Sequence, residues 1–164
     1  SKEPSSVLII SNESDKFEAE VAKHENIKTT SVACKLEEIS ALGDAEFDLI
    51  INEMEPDSLF LAQINRIAKK DAQLTTVHPA LDAVNENKKL INELARYFKI
   101  VMPFNISAGK TALLCSKEYH PTADINLQRA DMLDNLSYYN CDVHVGSFAM
   151  GNHIRKEYLG VIKN

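Results

Sequence analysis

Two short apolar runs constrain the fold of this chain more than any other feature of its sequence. Residues 7–10 and residues 47–51 carry apolar side chains at nearly every position rather than at alternate ones. Such runs are typical of strands that are buried on both faces of a parallel sheet. Parallel strands need a crossover connection, which is usually a helix. The runs therefore predict an α/β fold.

The spacing of apolar residues elsewhere extends this prediction along the chain. Strands are predicted at residues 7–10, 27–32, 47–51, 74–77, 99–104 and 111–115, and helices follow the first strand and cover residues 34–42, 57–70, 85–98 and 125–136. The tail, residues 143–161, is predicted to be helical in two pieces that are broken near Gly151. A short loop joins the last two strands, so they must pair antiparallel. We predict a methyltransferase-like Rossmann fold with a mostly parallel sheet, a C-terminal antiparallel hairpin and a helical tail.

Composition excludes several classes of function. The net charge of -6 argues against a nucleic-acid binder, which needs a basic face. No apolar run approaches the roughly 20 residues that span a bilayer, and the first residues do not resemble a signal peptide. The three cysteines are far apart, and the histidines lack metal-ligand spacing. We expect a single cytoplasmic domain over residues 1–164, with no metal site and no membrane partner.

The turn after the first strand has an unusual composition for a nucleotide-binding fold. Glycines in this turn normally let the backbone approach the ligand closely. Here the turn contains Ser11, Asn12, Glu13 and Ser14, and none of the five glycines of the chain lies in it. This composition argues against a dinucleotide site and against a P-loop.

Three acidic residues follow the third predicted strand. Glu53, Glu55 and Asp57 lie where open α/β sheets bind their ligands, beyond the carboxyl end of a buried strand. A carboxylate here could accept a proton from an amine or attract a cation. In the alternative interpretation, Asp57 caps the next helix and the two glutamates are only solvated. The spacing alone leaves both interpretations open.

The tail carries a motif that resembles a known family. Residues 138–144, YYNCDVH, and residues 147–150, SFAM, closely resemble the C-terminal signature of spermidine synthases. Residues 101–103 and 113–117 are similar to the hairpin segment of that family, which ends in LCSK. Residues 47–57, FDLIINEMEPD, are similar to its YDxIIxDxxDP stretch. The amino-acid sequences of these segments are most similar to those of the epsilonproteobacterial branch of the family.

The resemblance implies an aminopropyltransferase. Such an enzyme transfers the aminopropyl group of decarboxylated S-adenosylmethionine to putrescine, which gives spermidine and methylthioadenosine. It needs no cofactor besides this nucleoside co-substrate, and it is usually a homodimer. The family's catalytic aspartate falls at Glu53, and contacts to the amine fall at Glu55, Asp57 and Asn105. The nucleoside-binding turn corresponds to residues 11–13, Ser11, Asn12 and Glu13.

The chain departs from the family pattern at several of these positions. The family's glycine-rich turn is absent, its Asp-Pro appears inverted as Pro56 and Asp57, and its hairpin tyrosine is replaced by Asn105. Residues 24–47 are too few for the expected two strands and two helices, and the family's small N-terminal β domain is expected to be absent. Two hypotheses stay open: an aminopropyltransferase, and a non-catalytic member that acts as a binding module. We predict that the nucleoside binds at millimolar concentration or not at all.

The apolar residues of the tail suggest how it packs. His144 and Phe148 are four residues apart and would share one helical face. We therefore expect Tyr138, Tyr139, His144 and Phe148 to pack against the sheet rather than to line an open pocket.

Overall fold

The fold is a single six-stranded sheet with helices on both faces. The computed structural model describes residues 4–107, 109–133 and 136–164. Its strands are β1 (Ser6–Ile10), β2 (Lys28–Val32), β3 (Phe47–Asn52), β4 (Ala68–Thr76), β5 (Ile100–Ser107) and β6 (Lys110–Ser116). Its helices are α1 (Asp15–Val21), α2 (Leu36–Ser40), α3 (Ser58–Ile67), α4 (Val84–Leu94), α5 (Leu127–Asp131), α6 (Cys141–Ser147) and α7 (Asn152–Glu157).

The sheet has the predicted mixture of parallel and antiparallel pairs. Its strand order is β2-β1-β3-β4-β6-β5. The first four strands are parallel to one another, and β6 is antiparallel to both β4 and β5. The chain moves outward from β1 to β2, then returns past β1 to form β3. The order of the strands therefore reverses between β1 and β3.

The main core lies on one face of this sheet, which we call the first face. Alternate strand residues such as Leu8, Ile50 and Leu74 are completely buried there, against Phe60 of α3 and Ile91 of α4. All five residues of β1 are buried, as the continuous apolar run predicted. The opposite, second face carries Leu49, Gln73, Thr75 and Leu114, and it is covered less completely by α1 and by the tail.

The predicted boundary between α3 and the next strand is wrong. The sequence predicted a helix to about residue 70, with Lys69 and Lys70 at its C-terminus, but α3 ends at Ile67 and β4 begins at Ala68. Phe47 pairs with Ala68 and Leu49 pairs with Gln73, so residues 69–72 lie opposite a single residue of β3. This irregularity allows Lys69 to reach Asp48, a contact that no local pattern reveals.

The region between α1 and β3 contains fewer strands and helices than the family pattern, as its short length suggested. Between α1 and β3 the chain forms one strand, β2, at an edge of the sheet, and one short helix, α2. At the opposite edge, the backbone of Lys163 exchanges hydrogen bonds of 2.8 and 3.2 Å with Val101 of β5. The C-terminal residues therefore protect one sheet edge from further pairing.

The tail consists of the two predicted helical pieces, α6 and α7. The predicted helix over residues 125–136 is instead the five-residue α5, and Asp134 and Asn135 lie outside the described residues. Its apolar residues Leu127 and Met132 are 50% and 79% exposed. A five-residue helix is too short to be stabilised by one apolar stripe. Among the residues of the described ranges, no helix has the length and apolarity needed to cross a membrane.

Asp48 connects three strands at the amino edge of the sheet. Its Oδ2 accepts hydrogen bonds from the backbone N–H groups of Ser5 and Ser6 at 3.0 Å and from Oγ of Ser5 at 2.7 Å. Nζ of Lys69 in β4 donates to the same oxygen at 2.9 Å. Burial alone would raise the pKa of Asp48, but these hydrogen bonds outweigh it and hold the pKa below its usual range.

We predict that Asp48→Asn lowers the free energy of unfolding by about 2–3 kcal/mol at neutral pH, because charged hydrogen bonds within the sheet are lost. A pKa that is lowered in the folded state stabilises the protein above the unfolded value, near pH 4, and the effect is lost as pH falls below it. Urea unfolding should therefore show a constant difference between pH 6 and 8 that shrinks below about pH 4. The exposed Asp15→Asn should change stability by less than about 0.5 kcal/mol. Equal effects of the two variants would contradict this role.

Candidate functional site

The candidate site lies where the strand order reverses. Open α/β sheets bind ligands beyond the carboxyl ends of the strands at such a reversal. In this chain the position lies between the ends of β1 and β3, and the next residues along the chain are Ser11 and Glu53. Six residues there form what we call the carboxyl-edge cluster: Ser11, Asn12, Glu13, Glu53, Glu55 and Asp57. They include the acids and the turn that the sequence singled out.

Ser11 and Glu53 connect the ends of β1 and β3 directly. The backbone N–H of Glu53 donates to the carbonyl of Ile10 at 2.9 Å, which extends the pairing of the two strands by one residue. Oγ of Ser11 donates to Oε2 of Glu53 at 2.5 Å, and Ser11 is only 5% exposed. The Ser11 oxygen also accepts the backbone N–H of Glu13 at 2.9 Å. The serine therefore occupies the crevice between the two strands and orients the Glu53 carboxylate.

Asn12 makes the corresponding connection between β1 and β2. Its Oδ1 accepts the backbone N–H of Cys34, just beyond β2, at 3.0 Å. Cys34 also lies near Glu53: burial raises the pKa of its thiol, and the negative charge of Glu53 raises it further. Spacing along the chain did not reveal that Cys34 lies beside the cluster. Side chains of the turn thus occupy positions where a glycine-rich turn would offer bare backbone.

The remaining acids of the cluster face solvent or serve the local backbone. Glu13 is exposed and forms an ion pair with Lys16 at 3.4 Å, and Glu55 is also exposed. Oδ1 of Asp57 accepts the backbone N–H of Phe60 at 2.8 Å, so Asp57 is the N-cap of α3. The capping interpretation therefore describes Asp57, while Glu53 and Glu55 keep carboxylates at the carboxyl edge.

Buried polar side chains fix the turn that carries Glu53. Asn52, which is 3% exposed, donates through Nδ2 to the carbonyl of Met54 at 2.6 Å and to Oγ1 of Thr76 at 2.7 Å. Its Oδ1 accepts the backbone N–H of Met54 at 3.0 Å. The donor and acceptor groups of the Asn52 amide thus all have hydrogen-bond partners, either within the turn or on β4. Glu53 therefore lies between Asn52 and Met54, and the hydrogen bonds of the Asn52 side chain fix the positions of both.

His78 is a residue at the same edge that the sequence analysis did not single out. Its Nδ1 lies 2.7 Å from Oδ1 of Asn87, and its Nε2 lies 2.8 Å from Oγ1 of Thr111 at the start of β6. Asn87 is completely buried and donates to three carbonyl groups of the loop after β4. Burial is the main cause that lowers the pKa of His78. The ring joins this loop to the hairpin.

Asn105, the hairpin position, does not point freely into the cluster. Its Nδ2 donates to the carbonyl groups of Ser147 and Ala149 at 2.9 and 3.1 Å. The side chain thus connects β5 to the end of α6. The described residues contain no group of three His, Cys, Asp or Glu side chains that could hold a metal ion.

Comparison with known proteins gives a consistent set of relatives. The chain is 32% identical over 117 residues to a polyamine aminopropyltransferase of Helicobacter acinonychis (strain Sheeba), and 30% identical over 125 residues to one of Helicobacter pylori (strain G27). The chain is a homologue of the polyamine aminopropyltransferases. The aligned regions cover 68% and 73% of this chain but only 44% and 47% of the relatives. The chain therefore spans less than half the length of these curated relatives. No protein-family model matches it.

Solved structures of spermidine synthases and of a methyltransferase superpose on this chain. Spermidine synthase from Thermotoga maritima superposes with a TM-score of 0.78 over 94% of this chain and 68% of its own, at 21% identity. A spermidine synthase in complex with the transition-state analogue AdoDATO gives the same TM-score at 20% identity, over 94% and 69% of the two chains. A SAM-dependent methyltransferase from Aquifex aeolicus gives 0.54 over 69% and 82%, at 13% identity. The methyltransferase-like Rossmann fold is thereby confirmed.

The tail of this aminopropyltransferase homologue packs differently from the prediction. Tyr138, Tyr139, His144 and Phe148 were expected to avoid any open pocket, but all four line a cavity of about 690 Å³ on the second face of the sheet. Tyr138 is 70% exposed, and α6 buries none of its residues completely. The reason is geometric: the seven-residue α6 contacts the sheet mainly at β5, and Phe148, the residue after α6, contacts Phe104 of that strand.

We predict that Asp57→Ala destabilises the protein by about 1 kcal/mol, because α3 loses its N-cap. Asp57→Asn should retain most of that stability, since asparagine caps helices as well as aspartate does. Thermal or urea unfolding of the two variants measures the difference. Equal stability of the alanine variant and the parent would show that the cap contributes nothing, and a loss in the asparagine variant as large as in the alanine variant would show that the charge is what matters.

Proposed function

We propose that this chain provides the site of an aminopropyl transfer from decarboxylated S-adenosylmethionine to putrescine. The supporting observation is the position of Glu53, a carboxylate at the strand reversal of an aminopropyltransferase-like fold. Glu53 is the proposed proton acceptor, and Glu55 and Asp57 attract the cationic amine. Residues 11–13 are the proposed nucleoside contact, and Asn105 supports the hairpin beside the amine.

The proposed chemistry is a displacement at carbon. The amine nitrogen of putrescine attacks the propyl carbon that is bonded to the sulfonium sulfur. The new C–N bond forms as the C–S bond breaks, and the electron pair of that bond stays on sulfur, giving neutral methylthioadenosine. The attacking nitrogen loses one proton, which the Glu53 carboxylate accepts. Holding both substrates in line supplies most of the acceleration.

The geometry of the turn supports weak binding of the nucleoside. Ser11 and Asn12 direct side chains, rather than open backbone N–H groups, toward the crevice between β1 and its neighbours. Glu13 adds a negative charge at the same edge. These side chains leave less room for the nucleoside than glycines would, so the proposed reaction requires high nucleoside concentrations.

Three further properties belong to this proposal. We take residues 1–164 as one catalytic domain, with the homodimer as the working form. The free cysteines Cys34, Cys115 and Cys141 fit the reducing cytoplasm as its location.

We expect methylthioadenosine to form when the chain is incubated with millimolar decarboxylated S-adenosylmethionine and putrescine. Chromatography of the nucleoside products measures the rate. Glu53→Gln should reduce that rate by about a hundredfold or more, because general-base catalysis contributes factors of this size. The matched control Glu37→Gln, at an exposed position of α2, should leave it unchanged. Equal rates for Glu53→Gln and the parent would contradict the role of Glu53.

A second candidate function is that of a non-catalytic binding module. The hydrogen bond between Ser11 and Glu53 favours it, because this bond engages the proposed proton acceptor within the protein. If no methylthioadenosine forms at any substrate concentration while the chain remains folded, this second candidate replaces the first.

A further inference from the structure

The cavity on the second face is separate from the carboxyl-edge cluster. Its floor consists of Leu49, Gln73, Thr75, Leu114 and Phe104, which lie on four neighbouring strands. Its roof comes from the segment after β6 and from α5 and α6. It shares Asn105 with the proposed transfer site, but none of its lining residues belongs to the carboxyl-edge cluster. A volume of about 690 Å³ is within the range of small-molecule sites in proteins.

The walls of this cavity are unusually aromatic. Three of the five tyrosines and two of the six phenylalanines of the chain line it. Tyr139, His144, Phe148 and Phe104 form a continuous series of rings with centroid separations of 5.6, 5.7 and 5.7 Å. Because the rings pack against one another, they present a preformed surface. Such surfaces stack well on planar ligands.

The charges of the lining favour an uncharged ligand. Among the described residues that line it, Asp124 and Arg129 are the formally charged ones, and their charges are opposite. Nε2 of His144 donates to the carbonyl of Pro121 at 2.7 Å, and its Nδ1 lies 3.1 Å from the Tyr139 hydroxyl, so both ring nitrogens are engaged within the protein. Without an excess of either sign, the cavity offers little to a polyamine or to an anion.

One polar group on the floor is available for hydrogen bonding. Gln73 lies on the central strand β4, and its side-chain amide has no hydrogen-bond partner within the described residues. An amide offers a donor and an acceptor side by side, which matches the edge of a nitrogen heterocycle. The neighbouring floor residues Leu49 and Leu114 are apolar, and Thr75 adds a hydroxyl beside this amide.

From these observations we infer that the cavity is a binding site for a neutral, planar nitrogen heterocycle. The ligand stacks on the wall formed by Phe104 and Phe148, and the Gln73 amide pairs with its edge. This site is additional to the proposed aminopropyl-transfer site and does not depend on it.

Adenine is the probe that tests this inference with the full chain. Titration calorimetry should give a Kd of about 1 mM or below, the affinity expected of a compact ligand with about ten heavy atoms. Spermidine, a flexible cation, should not compete with adenine. Gln73→Leu should weaken adenine binding about tenfold through loss of the paired hydrogen bonds. The matched control Gln63→Leu, on α3, should bind adenine as the parent does.

A second variant tests the inference by filling the cavity. Thr75→Phe should fill the floor and abolish adenine binding without lowering the melting temperature, whereas Thr29→Phe on the exposed β2 should leave binding unchanged. Absence of adenine binding to the parent, or binding that survives both Gln73→Leu and Thr75→Phe, would overturn the inference. Sedimentation that shows a dimer of the parent and a monomer of Thr75→Phe would also overturn it, because a second copy of the chain would then occupy the cavity.

Discussion

The hydrogen-bonded Asp48 carboxylate is the interaction on which the geometry of this sheet depends. It fixes the start of β1 against β3 and brings Lys69 of β4 to the same point. In a sheet, a shift of one residue moves each side chain to the opposite face. The register set at the amino edge therefore decides which residues leave the sheet at the carboxyl edge. With this register, Ile10 pairs with Asn52, and Ser11 meets Glu53.

The carboxyl edge of this chain is organised by side chains rather than by an open backbone. In glycine-rich turns the ligand approaches the N–H groups of the main chain. Here Ser11 and Asn12 use their side chains to connect β1 with Glu53 and with Cys34. The chain thus combines the fold of the aminopropyltransferases with a carboxyl edge whose side chains form hydrogen bonds to one another and to the neighbouring backbone. In the proposed function, the acids that attract the amine lie at this edge, and the Ser11 and Asn12 side chains restrict access of the nucleoside.

Much of the fold could be predicted because it depends on local patterns. The apolar runs at β1 and β3 identified buried strands, and the short connection before β6 required an antiparallel hairpin. The start of β4 could not be predicted, because the partner of Lys69 is Asp48, 21 residues away in sequence. Ser11 and Glu53 are likewise far apart in sequence. Their spacing placed them at one edge of the sheet but could not show that they form a hydrogen bond. The tail motif identified the family, yet its residues could not reveal that short helices leave a cavity.

The central claim is that the Ser11 and Asn12 side chains restrict access of the nucleoside, and a binding measurement tests it most directly. Calorimetry with decarboxylated S-adenosylmethionine should be compared between the parent and the folded double variant Ser11→Gly/Asn12→Gly. We expect millimolar binding or none for the parent, and an affinity at least about tenfold higher for the variant, a gain of about 1.4 kcal/mol. Micromolar binding by the parent, or no gain in the variant, would contradict the account.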